Sequence, residues 1–98
     1  MKSTLSFKQI IERLLAGETE GLSATETLKI DGNRLIHFKT TIAERWKDKI
    51  IINLTPYSLP SVQLQKQICN IVPKDKQIVV RSVPLDHGGS LLEFVDGR

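Results

Sequence analysis

The chain has a single cysteine, a single tryptophan and a single tyrosine, and three phenylalanines complete its aromatic set. One cysteine, Cys69, excludes an internal disulfide; that suits a reducing compartment and makes the cytoplasm the expected location. No apolar run approaches the ~18 residues that a membrane span needs, so no membrane association is expected. The opening MKSTLSF has neither an unbroken apolar core nor a cleavage site, which argues against a secretory signal. Five aromatics are also few for a single-strand binder, which usually offers several stacking platforms.

Catalytic groups are as scarce. His37, His87 and Cys69 are the only residues of their types, and no third group is suggested to orient a cysteine–histidine pair. A cysteine on an apolar helix face serves more often as a small filler than as a nucleophile. One cysteine and two scattered histidines lack the close ligand pairs of a metal site. Asp86-His87-Gly88-Gly89-Ser90 offers two glycines to an anion, but no Lys-Ser/Thr follows as a phosphate loop requires, and a turn explains it. The expectation is a protein that is not an enzyme, with no catalytic residues, no metal and no cofactor.

What is present describes one small domain covering residues 1–98. A composition of 40% hydrophobic and 26% charged residues is too apolar for a disordered chain and ordinary for a globular one. The net charge of +3 is unevenly spread. Residues 32–81 hold nine basic against three acidic side chains, between acidic flanks. A basic middle suits a polyanion, through counterion release. It also suits lysines that solubilise turns and blunt strand edges.

Local signals order the elements. Ser6 and Gln9 form a capping box, Leu5 and Ile10 stand at the staple positions, and Phe7, Ile10, Ile11, Leu14 and Leu15 recur at helical spacing up to Gly17. Residues 18–26 read as a polar turn with a bend at Gly21. Thr27–Ile30 and Leu35–Phe38 flank the turn Asp31-Gly32-Asn33. Thr41–Trp46 and Ile50–Thr55 make the next hairpin. A second helix starts near Ser58 or Ser61 and stops at Pro73. Ile78–Val83 and Leu91–Val95 read as strands. The order α-β-β-β-β-α-β-β gives an α+β fold, an antiparallel sheet of about six strands with two helices on one face.

The 41–57 hairpin carries the candidate site. A three-residue loop, Lys47-Asp48-Lys49, sets Trp46 opposite Ile50 and places Ile42, Trp46, Ile50, Ile52 and Leu54 on the core side. Arg45, Asn53, Thr55 and Tyr57 then share the other face. In one reading these residues satisfy backbone groups and cover the sheet rim. In the other, Arg45, Asn53 and Tyr57 form a recognition patch ringed by Lys39, Lys47 and Lys49, since arginine and tyrosine are enriched where binding energy concentrates.

Leu35-Ile36-His37-Phe38-Lys39-Thr40-Thr41-Ile42-Ala43-Glu44-Arg45, followed by Asn53-Leu54-Thr55-Pro56-Tyr57-Ser58 and Gln65, resembles a pattern in small uncharacterised proteins of bacteriophages and plasmids. The pattern is Thr-x-Ile-Ala-x-Arg, a short turn, then Asn-x-Thr-x-Tyr-Ser. The match covers about residues 35–65, with Phe38 in place of the usual tyrosine and Pro60 where threonine is customary. The resemblance implies a mobile-element origin rather than an activity. The expected function is that of a small interaction protein binding a host or phage protein, for example as an inhibitor of a host defence system. The alternative is nucleic-acid binding through the basic central hairpin. Edge strands of a small sheet also invite pairing, and a symmetric homodimer is the commonest product.

Overall fold

A computed structural model describes residues 6–23 and 27–95. Helix α1 spans Phe7–Leu15. Ser6 Oγ accepts from the Gln9 N–H at 3.2 Å, and Gln9 Oε1 accepts from the Ser6 N–H at 2.8 Å, closing the capping box. Leu5, the expected staple partner, lies outside the described residues. At the other end Gly17 turns left-handed at φ 91°. The Gly17 N–H donates to Leu14 O and the Glu18 N–H to Arg13 O, which completes a Schellman ending.

Six strands follow in one sheet, side by side in chain order: β1 (Glu20–Leu22), β2 (Leu28–Asp31), β3 (Arg34–His37), β4 (Thr40–Trp46), β5 (Lys49–Asn53) and β6 (Gln77–Val80). Pairing is antiparallel from β1 to β5. Helix α2 (Leu59–Ile71) then carries the chain back across the sheet, and β6 pairs with β5 in parallel. Ser58 caps α2, Pro60 sits in its first turn, where a missing N–H costs nothing, and Pro73 follows its end. The α+β class holds, with two helices on a six-stranded, mostly antiparallel sheet.

Two elements differ from expectation. The segment around Gly21 is strand β1, not a bend. A Cβ on Gly21 would lie 3.2 Å from Ile30 Cδ1 and 3.3 Å from Ile10 Cδ1, so glycine lets this edge strand pass close beneath α1. Leu91–Val95, expected as a strand, contains instead a 3₁₀ turn over Leu92–Phe94. The Glu44 carboxylate accepts the Leu91 N–H at 2.6 Å and the Ser90 hydroxyl at 3.0 Å, so a side chain takes the place of a ladder partner.

That docking covers the second face of the sheet. One core lies between sheet and helices and includes Ile10, Ile11, Leu14, Ile50, Ile52 and Leu64. A smaller one lies on the opposite side, where Val83 and Leu91 pack with Ile51 and Val80. The expected hairpin register is therefore corrected. Trp46 pairs with Lys49, Arg45 with Ile50, Glu44 with Ile51 and Ala43 with Ile52, about a two-residue loop, Lys47-Asp48. The expectation of one clean apolar face assumed that the other face met solvent. With both faces covered, Ile50-Ile51-Ile52 is a continuous buried run, as in a central strand.

Candidate functional site

The corrected register dismantles the expected joint face of Arg45, Asn53 and Tyr57. Arg45 lies on the helix side, where Nη1 donates to Leu14 O at 2.8 Å and caps the C-terminal carbonyls of α1. Asn53 lies on the opposite side and is fully buried. Its Nδ2 donates to Thr41 O at 3.1 Å and to Tyr57 OH at 2.9 Å, while its Oδ1 accepts the Thr55 N–H at 3.0 Å. The half-buried Tyr57 donates its hydroxyl to Val83 O at 2.6 Å, and Thr55 Oγ1 accepts the Val83 N–H at 3.0 Å. Buried Gln65 reaches from α2 to Asn53 O at 2.7 Å and Thr55 O at 2.8 Å. The Asn-x-Thr-x-Tyr-Ser stretch and Gln65 thus form one satisfied internal network. It fixes the β5–α2 connection and the return of the chain at Val83. Buried amides and hydroxyls so paired specify structure, since each would be costly alone.

The sheet's two ends remain exposed, and they differ. β4 runs about 20 Å at ~3.3 Å per residue, with a two-residue turn at each end. At the first turn Phe38 and Lys39 link β3 to β4. Phe38 sits at φ 57°, in the left-handed region, and is 67% exposed. Beside it is a cleft of about 230 Å³ lined by His37, Phe38, Tyr57, Ser58, Leu85 and Asp86, among others. Leu85 is 67% exposed, and Leu59, next to Ser58, is 73% exposed. These are the three most exposed large apolar side chains among the described residues. The strand expected over Leu35–Phe38 conceals the exposure of Phe38, which instead occupies the turn. The one available signal was the spacing, since His37 and Thr40 flank two residues with no turn chemistry.

His37 packs edge-on against Phe38 at 4.6 Å and against Phe7 at 6.3 Å between ring centres. Burial lowers its pKa below the ordinary 6.5, because the charged ring would lose water here.

At the other end Lys47 and Asp48 turn β4 into β5. Lys47 is also left-handed, at φ 57°, and its ammonium lies 4.9 Å from the centre of the Trp46 ring. Lys49 Nζ donates to Asp75 O at 3.0 Å. Lys39, an expected neighbour of Lys47 and Lys49, stands at the opposite end of β4. The six expected site residues therefore divide: Lys39 and Tyr57 at the apolar end, Asn53 in the interior, and Arg45, Lys47 and Lys49 at the basic end.

A cleft of about 550 Å³ runs beside α2 and includes Leu54, Pro56, Val62, Cys69 and Arg81 in its lining. Neither histidine lines it; the charged neighbours of Cys69 in that lining are Lys66 and Arg81. Burial raises the thiol's pKa and keeps it protonated and weakly nucleophilic. Among the described residues no group of three His, Cys, Asp or Glu side chains is placed to hold a metal ion, and no helix is long and apolar enough to cross a membrane. No family model, curated protein or solved structure matches this chain.

Proposed function

We propose that the protein is a non-enzymatic interaction protein that docks on a protein partner through the apolar end of its sheet. The observation that carries this reading is Phe38. A bulky residue at φ 57° is a genuine outlier, since its Cβ crowds the following carbonyl at a cost of about 1–2 kcal/mol. The equivalent turn position between β2 and β3 holds Gly32, at φ 69° without that crowding. Turn chemistry favours glycine here, and core packing would bury a phenylalanine. This ring is strained and exposed at once, as is common for residues held ready for a ligand.

Leu85 lines the same cleft together with Asp86, and exposed Leu59 follows its lining residue Ser58. The fitting partner is a protein with an apolar recess; aromatic anchors seated in such recesses dominate binding energy. The resemblance over residues 35–65 supports a mobile-element origin and hence a host or phage protein as the partner, with an inhibitor of a host defence system as one example.

The test immobilises the full chain and compares capture from host lysate with that by Phe38→Gly and Leu85→Ser variants. A protein retained by the native chain and lost from both folded variants supports the reading. Equal capture by all three chains, or retention of nucleic acid alone, contradicts it.

A further inference from the structure

We infer that the basic end of the sheet is a binding site for a phosphate group. This does not depend on the apolar end, which lies at the far end of β4. A cleft of about 260 Å³ opens there, lined by Leu15, Arg45, Lys47, Asp48, Lys49 and Lys76 together with Ile50. Four basic residues and one carboxylate thus line a single cleft. Among the described residues none of the four forms an ion pair; the salt bridge found there joins Arg13 to Glu18.

Each of three heads is held by a different neutral group: Arg45 Nη1 by Leu14 O at 2.8 Å, Lys49 Nζ by Asp75 O at 3.0 Å, and Lys47 Nζ by the Trp46 ring at 4.9 Å. Backbone carbonyls and an indole face position a cation without cancelling its charge. Arg45 has further N–H donors beyond the nitrogen that caps α1, in a planar fork suited to two oxygens of one anion. Lysine ammoniums supply point charges around the remaining oxygens.

The lining also excludes base recognition. It contains no aromatic side chain, and Trp46 is packed against the second core and covered by Lys47. What such a cleft recognises is the phosphate itself. The source is a nucleic-acid backbone or free phosphate, and the two separate experimentally.

Trp46 is the only tryptophan, and an anion drawing Lys47 from its ring changes its fluorescence. The full chain is titrated at low salt with inorganic phosphate, a short single-stranded oligonucleotide, and a nucleoside without phosphate. The expected result is a saturable response to one or both phosphate probes and none to the nucleoside. Far tighter binding of the oligonucleotide assigns the site to a nucleic-acid backbone, and comparable binding assigns it to free phosphate. Lys49→Gln with Lys76→Gln should weaken binding about tenfold or more, and lower the single-stranded oligonucleotide's salt slope by about 0.7 per lost contact. Lys76→Gln alone, at a side chain with no hydrogen bond among the described residues, carries the same prediction at smaller size if the double variant fails to fold. No response to either phosphate probe, an equal response to the nucleoside, or binding unchanged by substitution in a folded variant overturns the proposal.

Discussion

β4 ends in two tight turns with like backbones and unlike side chains. Phe38 and Lys47 each hold the first loop position at φ 57°, where the neighbouring hairpin has Gly32 at φ 69°. One turn displays an exposed aromatic among leucines, and the other an ammonium among cations. Fold chemistry alone would put glycine or asparagine at both. Both turns hold a bulky residue in the left-handed region at a cost in local stability, and the two ends carry different chemistry. The interior is the opposite case: Asn53, Gln65 and Glu44 are buried and Thr55 is half-buried, with their polar groups matched to partners.

Asn53→Ala should have the largest effect. It removes the side-chain partners of Thr41 O and the Thr55 N–H and one of the two partners of Tyr57 OH, and should lower stability by about 3 kcal/mol in urea unfolding. Because the network anchors Tyr57 and Val83, the apolar end should lose partner capture in the variant. Phosphate binding at the other end should persist wherever the chain is folded. Equal loss at both ends would mean that the ends are not separable.

Lys47→Gly sharpens the contrast from the other side. Relief of left-handed strain is opposed by greater freedom in the unfolded chain and by loss of the cation–ring contact, so stability should change by less than about 0.5 kcal/mol. Phosphate affinity should fall while partner capture is untouched, which parallel binding assays would show.

The smallest effect concerns pH at the apolar end. Because the pKa of His37 is lowered in the folded chain, the unfolded chain binds more protons between that lowered value and 6.5. Its contribution is thus complete above about 6.5 and is lost as pH falls through the folded value. Asp86 lines the same cleft, yet desolvation dominates the His37 shift. A His37→Gln variant should flatten this slope in melts taken across that window, with phosphate binding at the basic end unchanged by the substitution.

The parts legible in the sequence are those that local chemistry decides. The Ser6–Gln9 box, the Gly17 ending, the Asp31-Gly32-Asn33 turn and the arrest of α2 at Pro73 all rest on neighbours within a few residues. The β4–β5 register was not legible, because it depends on Val83 and Leu91 covering a face some forty residues away in sequence. For the same reason Glu44 and Asn53 looked like surface or exceptional residues, when their partners lie at residues 90–91 and 57 and in the neighbouring strand. The turn at Phe38 was hidden for a different reason. Sequence reading assumes that residues obey their conformational preferences, and this one does not.

Thermal unfolding of Phe38→Gly tests that assignment most directly. If the ring is displayed for a partner, removing it relieves about 1–2 kcal/mol of left-handed strain against about 0.5–1 kcal/mol of added chain entropy. The melting temperature should then rise by roughly 2–5 °C. A melting temperature below that of the native chain would mean that Phe38 serves the fold through His37, and would contradict the account.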